Sequence, residues 1–325
     1  MKPTALILLT FSLFLSVRAQ AINTNDSELK NTFYFKDEIN NELNSNKDNQ
    51  PHENDFGASN TRPGNAVKAI KLNNLGAESF DSKNYDDAAR YFRQAAELSP
   101  EYVQIQINLA NALLTGKHYT EAAGICRKAI DNNVPSSSIY TILASALYES
   151  GSYAESVTAY RKSLELKEKA VTFNDLGNAL YHLGDNQTAI TAFENALKMK
   201  PFFPDALNNY GVTLIKINRY KEAVKKFQEA IKQQPDFARA HNNLGIAYSY
   251  LGKKKLALKS YLQAVQHNPE FNLAQYNLAI SYLAEGKREE ARTRWGILKK
   301  LDAQLAEKFQ KEFYKNYLID VSERS

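Results

Sequence analysis

The stretch PDALNNYGVTLIKINRYKEAVKKFQEAIKQQPDF, residues Pro204 to Phe237, contains two amphipathic helix patterns in succession. The polar pair Asn218-Arg219 separates the two patterns. Pro235 follows the second pattern, and proline cannot continue a helix. The same pattern recurs along the chain at a constant interval. We therefore predict a tandem array of helical hairpins.

The interval between equivalent residues is 34, with one interval of 33. Seven repeats span residues 69–102, 103–136, 137–169, 170–203, 204–237, 238–271 and 272–305. A small residue at the eighth position and another at the twentieth indicate where the two helices approach closely. The eighth-position residues are Gly76, Ala110, Ala144, Gly177, Gly211, Gly245 and Ala279. A residue at the twenty-fourth position, usually aromatic, is expected to fill the space between a repeat and its neighbour.

This pattern resembles the tetratricopeptide repeat family, and the resemblance covers roughly residues 66–305. It implies an all-α fold, a right-handed α-solenoid of helical hairpins whose first helices line a concave groove. A single hairpin cannot bury both of its faces, so the array is stable because the repeats stack.

The end of the chain has the pattern of a capping helix, within the predicted tail 303–325. Asp302 is suited to cap its N-terminus, and apolar residues follow at intervals of four, beginning with Leu305 and Phe309. This segment would close the seven-repeat region 66–302. The alternative is a helix that binds a partner or a membrane surface.

Asparagine occupies the sixth position in five of the seven repeats, as Asn74, Asn108, Asn209, Asn243 and Asn277. The family resemblance implies that this position faces the groove. A carboxamide offers both donors and an acceptor, which suits the main chain of an extended peptide. We therefore predict that these five residues bind peptide. Alternatively, the same amides bond to the neighbouring repeat, and the two roles can coexist.

Repeats 3 and 4 interrupt this series, because Ile142 and Asp175 stand at the sixth position. Repeat 3 is also one residue short and has serine where alanine is usual. We predict a softer junction there. The lysine with which some members of the family clamp a peptide carboxylate is absent from every fifth position.

We expect a non-catalytic protein–protein interaction scaffold that holds a peptide segment or a partner protein in its groove. Two alternatives remain: a structural or assembly subunit of a cell-envelope complex, and an accessory factor to a cell-wall or glycan enzyme. No cofactor or metal site is expected, because the five histidines share no ligand spacing and Cys126 occupies a core position. Nucleic acid is not an expected partner, since the positive charges are dispersed.

The N-terminus has the pattern of a secretory signal peptide, residues 1–19. Lys2 precedes an uncharged apolar run from Ala5 to Val17, and cleavage is expected after Ala19. The run is too short to span a bilayer, and we predict no transmembrane segment. Residues 20–65 are rich in asparagine and predict a disordered linker. The chain is therefore expected to be exported, either periplasmic or secreted.

Overall fold

A computed structural model describes residues 63–100, 102–132 and 136–324, with side chains as far as Tyr314. The predicted signal peptide and most of the predicted linker lie outside the described residues. Within these ranges the chain forms fifteen α-helices and no strand, which confirms the all-α fold. The helices, in chain order, are α1 (Pro63–Asp81), α2 (Tyr85–Leu98), α3 (Val103–Thr115), α4 (Tyr119–Asp131), α5 (Ser137–Glu149), α6 (Tyr153–Leu166), α7 (Ala170–Leu183), α8 (Asn186–Met199), α9 (Pro204–Lys216), α10 (Tyr220–Gln233), α11 (Ala238–Tyr250), α12 (Lys254–His267), α13 (Asn272–Ala284), α14 (Arg288–Leu301) and α15 (Ala303–Arg324).

The first helix begins earlier than the sequence predicted. Residues 63–65, assigned above to the linker, belong to α1. Proline is suited to the first helical position, because its missing N–H would have no partner there and its φ is already helical.

The helices alternate as first and second helices of the predicted repeats. From repeat 2 onward each first helix begins at the predicted start of its repeat. The turn inside every hairpin needs a left-handed backbone at the fifteenth position of the repeat, where φ is 64° at Asn218 and 95° at Gly184. Glycine and asparagine adopt this conformation at low cost. The remaining residues at this position also have positive φ, namely Lys83, Lys117, Gly151, Gly252 and Gly286.

The predicted close approach of the two helices occurs at the eighth position. A Cβ built on Gly211 would lie 2.5 Å from the ring of Phe227, and one on Gly245 would lie 2.5 Å from the ring of Tyr261. Each ring belongs to the twenty-fourth position of the same repeat. The ring therefore lies on the glycine of its own hairpin, and the expectation that it also fills the space between repeats stays a prediction.

The chain divides into two compact units, and the boundary between them falls inside α5. The N-terminal unit ends at Ala146 and the C-terminal unit begins at Leu147. The boundary lies in repeat 3, the repeat that the sequence marks as least regular. A softer junction in this repeat remains a prediction.

The last helix, α15, packs against α13 and α14. The Asp302 side chain accepts a hydrogen bond from the backbone N–H of Leu305 at 3.0 Å, as the predicted N-cap requires. Phe309 is fully buried, and the Phe313 ring stacks on Trp295 with centroids 6.4 Å apart. The helix thus covers the end of repeat 7. None of the helices in the described part of the chain has both the length and the apolarity that crossing a bilayer would need.

Candidate functional site

The first helices of repeats 4 to 7, which are α7, α9, α11 and α13, present one surface of the C-terminal unit. Helix α9 contacts both α7 and α11, and a hydrogen bond joins α11 to α13. On each helix the second, sixth, ninth and thirteenth positions form one stripe, since they are spaced by four, three and four residues. We call these four stripes the first-helix face. Its members are Val171, Asp175, Asn178 and His182 on α7, Asp205, Asn209, Val212 and Lys216 on α9, Arg239, Asn243, Ile246 and Tyr250 on α11, and Leu273, Asn277, Ile280 and Ala284 on α13.

Three of the predicted peptide-binding amides lie on this face and bond sideways to the preceding repeat. The Nδ2 of Asn209 donates to the Oδ1 of Asn174 at 3.1 Å. Equivalent bonds of 2.9 Å run from Asn243 to Asn208 and from Asn277 to Asn242. Each acceptor is the fifth-position residue of the repeat before. These amides therefore join neighbouring first helices.

Shorter links inside each repeat connect these bonds into one series. The Nδ2 of Asn242 donates to the Oδ1 of Asn243 at 3.4 Å, and that of Asn208 donates to Asn209 at 3.3 Å. Asn174 donates to the carboxylate of Asp175 at 3.1 Å. The result is an unbroken row of donors and acceptors across four repeats, which we call the amide chain. Its members, from donor end to acceptor end, are Asn277, Asn242, Asn243, Asn208, Asn209, Asn174 and Asp175.

Among the described residues of the N-terminal unit, one Asn–Asn bond joins neighbouring first helices in the same way. The Nδ2 of Asn108 donates to the Oδ1 of Asn73 at 2.9 Å. Asn74 is exposed, and no repeat precedes it among the described residues. Four of the five predicted residues thus make the inter-repeat bond that the sequence left as the alternative role. Each of these carboxamides has a second N–H and at least one further lone pair, so peptide contact by these residues remains a prediction.

The ninth position supplies a second row on the first-helix face, which we call the ninth-position row. Its members are Asn178, Val212, Ile246 and Ile280. Asn178 is only 3% exposed, and its Oδ1 has no hydrogen-bond partner within the described ranges. Buried polar atoms are almost always bonded, so this oxygen is an acceptor without its donor. The three aliphatic side chains are half-buried and occupy the equivalent position in the next three first helices.

Sequence reasoning did not single out the ninth-position row. Its signal was nevertheless present, because three branched aliphatic residues occupy equivalent places in three consecutive repeats. The sequence prediction of peptide binding rests instead on asparagine at the sixth position.

Polar groups mark the two edges of the first-helix face. At the second position, Arg239 Nη2 lies 2.9 Å from Asp205 Oδ1, and this ion pair joins α11 to α9. At the opposite edge, Lys216 Nζ donates to the backbone oxygen of Tyr181 at 2.6 Å and lies 4.1 Å from the centroid of that ring. Burial and the nearby Lys216 charge lower the pKa of His182. In repeats 5 and 6 the aliphatic residue of the ninth position therefore lies between charged or polar groups at both edges of the face.

Other candidate chemistry does not gather in the described part of the chain. No three His, Cys, Asp or Glu side chains there come together as metal ligands. Cys126 is fully buried, as its predicted core position requires, and burial raises the pKa of its thiol to about 12. A protonated, buried thiol acts as a small apolar side chain.

The tetratricopeptide repeat profiles match six overlapping or adjacent segments, residues 75–138, 137–169, 174–236, 212–250, 238–271 and 273–304. The chain belongs to the tetratricopeptide repeat family. Proteins of this family are generally non-catalytic scaffolds, and the fold indicates a scaffold for protein–protein interaction here.

Three solved structures illustrate the shared fold. A tetratricopeptide repeat protein from Parabacteroides merdae is 15% identical with a TM-score of 0.63, over 76% of this chain and 99% of that one. The Cut9–Hcn1 hetero-tetramer of the APC/C is 18% identical with a TM-score of 0.60, over 76% of this chain and 48% of that one. The C-terminal part of a repeat-containing protein from Cytophaga hutchinsonii is 19% identical with a TM-score of 0.53, over 65% and 84%. Among curated proteins, no sequence matches this chain.

Proposed function

We propose that this protein is a non-catalytic scaffold that binds an extended peptide segment of a partner protein on the first-helix face of repeats 4 to 7. The observation that carries the proposal is the unpaired, buried Oδ1 of Asn178 at the end of an aliphatic row. A peptide N–H would complete this hydrogen bond once the buried Asn178 side chain turns toward the face. Apolar side chains of the same peptide would cover Val212, Ile246 and Ile280.

The amide chain has a defined part in this proposal. It holds the first helices in register, and so it sets the spacing of the ninth-position row. Neutral hydrogen bonds contribute about 0.5–1.5 kcal/mol each, so the amides alone would bind a peptide weakly. Most of the affinity would come from the apolar side chains that the row covers.

The spacing of the row favours one peptide conformation. Packed helix axes are about 8–10 Å apart, so the aliphatic residues of successive first helices recur at about that distance. A polyproline II segment has three residues per turn and rises about 9 Å in a turn. An apolar residue at every third position would therefore meet Val212, Ile246 and Ile280 in turn. Such a segment has no internal hydrogen bonds, so its main-chain N–H groups are free to bond to Asn178.

A displayed peptide library tests this function. One pool has leucine fixed at every third position, and a second pool has leucine at every second position. We expect the intact protein to enrich the first pool. The change Ile246→Ser should weaken the enriched peptides about tenfold, which corresponds to the loss of about 1.4 kcal/mol of apolar contact.

The control variant is Leu262→Ser, which removes an exposed leucine from the second helix α12, away from the face. It should leave peptide affinity unchanged. Enrichment of neither pool, or equal affinity for wild-type protein and the Ile246→Ser variant, would contradict the proposal. Denaturation midpoints of both variants show that the protein is folded in each measurement.

We also propose that the chain is exported and functions in the periplasm or outside the cell. The support is Lys2 followed by the apolar run from Ala5 to Val17. N-terminal sequencing of the protein from its native host should find a mature chain that begins at Gln20. A chain that retains Met1 in the cytosol would contradict export.

A further inference from the structure

Leu75 in α1 is exposed at a place where every other repeat buries its residue. It stands at the seventh position of repeat 1 and is 43% exposed, whereas the equivalent residues of the other six repeats are at most 8% exposed. Those residues are Leu109, Leu143, Leu176, Tyr210, Leu244 and Leu278. No repeat precedes repeat 1 within the described residues. No helix of the described residues covers the face of α1 that would stack on a preceding repeat.

Charged residues flank Leu75 on this open face. Lys71 at the third position and Glu78 at the tenth are both exposed. The third position is buried in all of the other repeats, as Ile105, Ile139, Thr172, Ala206, Ala240 and Ala274. We call the surface formed by Val67, Lys71, Asn74, Leu75 and Glu78 the α1 end face. A hairpin of the array's own kind would bury both charges without partners, which is costly.

The α1 end face is complementary to itself. Consider two α1 helices that lie antiparallel, with a two-fold axis between positions 74 and 75. Lys71 of each copy then lies opposite Glu78 of the other, so two equivalent ion pairs form. The two Leu75 side chains meet near the axis. The spacing of Val67, Lys71, Asn74 and Glu78, which is four, three and four residues, is that of a helix-packing seam. An isologous interface requires this kind of self-complementarity.

We infer that the α1 end face is a self-association surface and that its occupant is a second copy of this chain. One helix face buries less than the 1,200–2,000 Å² or so of a standard stable interface, so the dimer is weak and reversible. Its ion pairs lie at the rim, and added salt therefore weakens it. Association at this end leaves the first-helix face of the C-terminal unit unchanged, so this inference does not depend on the proposed function.

Charge reversal on the intact chain tests the inference by sedimentation equilibrium over a concentration series. Wild-type protein should associate weakly. Lys71→Glu and Glu78→Lys should each weaken association more than tenfold, because both cross-axis pairs become repulsive. An equimolar mixture of these two variants should restore association, since every pair in the mixed dimer is again of opposite sign.

Lys128→Glu is the matched control, because it reverses an exposed lysine on α4 away from the α1 end face and should leave association unchanged. Carbodiimide crosslinking should join Lys71 of one copy to Glu78 of the other. A monomer at every concentration, a dimer that survives both reversals, or a mixture that fails to restore it would overturn the inference. A crosslink within the monomer from Lys71 to an acidic residue of segment 20–62 would assign the face to that segment and would also overturn it.

Discussion

The two compact units contain the same repeat but hold neighbouring first helices together to different extents. In the C-terminal unit the amide chain runs without interruption through repeats 4 to 7. Where the structure describes the N-terminal unit, one amide bond, from Asn108 to Asn73, makes the equivalent connection. A repeat that stacks on its neighbour needs only matching shapes, but a fixed register needs directional bonds. The difference indicates that the C-terminal unit is the part with a fixed spacing of its first helices.

The packing of the two helices inside each hairpin also differs between the two units. Three consecutive repeats of the C-terminal unit pair an eighth-position glycine with an aromatic ring, and the closest approach is 2.5 Å from a Cβ built on Gly211 to Phe227. In the N-terminal unit only Gly76 has such a partner, Phe92. Repeat 2 has Ala110 and Cys126 at these positions, both fully buried. The same hairpin therefore tolerates more than one combination of volumes, but each combination is tightly packed.

The largest effect is expected for Gly211→Leu. Even the first side-chain carbon would overlap the Phe227 ring, and this ring is fully buried. Overpacking of this kind should lower the free energy of unfolding by about 1–3 kcal/mol. Chemical denaturation of the purified variant measures the loss.

Gly296→Ala is the matched control in the same unit, because a Cβ there would meet nothing within 4 Å. Alanine in an exposed helix interior should raise stability by about 0.5–1 kcal/mol. If Gly211→Leu and Gly296→Ala changed the free energy of unfolding equally, close packing on Phe227 would not distinguish the C-terminal unit.

The next largest effect is expected for Asn243→Ala, compared with Asn108→Ala. The first change leaves Asn208 without its donor and Asn242 without its acceptor, and both of these side chains are buried. Unsatisfied buried groups cost about 1–3 kcal/mol in the free energy of unfolding. The second change removes the bonds of Asn108 to Asn73 and from Gln104, but only one of these partners, Asn73, is buried. It should therefore cost less than the first change, about 1 kcal/mol.

Hydrogen exchange of the backbone amides assigns each loss to its unit. Asn243→Ala should speed exchange in repeats 5 to 7, and Asn108→Ala should affect the N-terminal unit alone. Equal losses from the two variants would mean that a continuous amide chain adds nothing beyond its separate bonds. The peptides enriched from the library should bind the Asn243→Ala variant more weakly. This loss of affinity should follow the faster hydrogen exchange of the first helices in repeats 5 to 7.

The fold could be predicted from the sequence because the 34-residue period repeats seven times and averages out local exceptions. The period also placed the first helices from repeat 2 onward, and Asp302 correctly indicated the N-cap of the last helix. The predicted start of α1 is three residues late, because the repeat pattern is visible only from residue 66 onward. Pro63 is the local signal for the earlier start, because proline is favoured at the first position of a helix.

The partners of the amides could not be predicted to the same extent. The family resemblance implies that the sixth position lies near the groove. Whether Asn243 points to a ligand or to Asn208 depends on the offset between successive first helices, which no single helix encodes. Asparagine at the fifth position, as in Asn208 and Asn242, was the available sign of an inter-repeat pair. The open seventh position at Leu75 likewise becomes visible only when the burial of all seven repeats is compared.

The smallest expected effect concerns pH and again separates the two units. The ring of His241, which is buried in the C-terminal unit, stacks on His267 with centroids 5.2 Å apart and donates to the backbone oxygen of Pro235 at 2.9 Å. Burial, with the neighbouring His267 as a smaller cause, holds the pKa of His241 below its ordinary value of 6.5, although the bond to Pro235 acts in the opposite direction. The neutral form is therefore favoured in the folded state. The contribution of the neutral ring to stability is complete above about pH 6.5. It is lost as the pH falls from there through the lower pKa of the folded state, and stability does not change further with this group at still lower pH.

The change His241→Gln removes this titration but keeps the hydrogen bond. Position 275 shows why, since the Nε2 of Gln275 donates to the backbone oxygen of Pro269 at 2.8 Å from the equivalent place in the next repeat. The variant should therefore match wild-type stability near pH 8 and lose less of it on acidification to pH 5. Hydrogen exchange should locate the difference in repeats 5 and 6. Identical pH profiles for the two proteins would show that the buried ring does not titrate with folding, and acid sensitivity would then not distinguish the C-terminal unit.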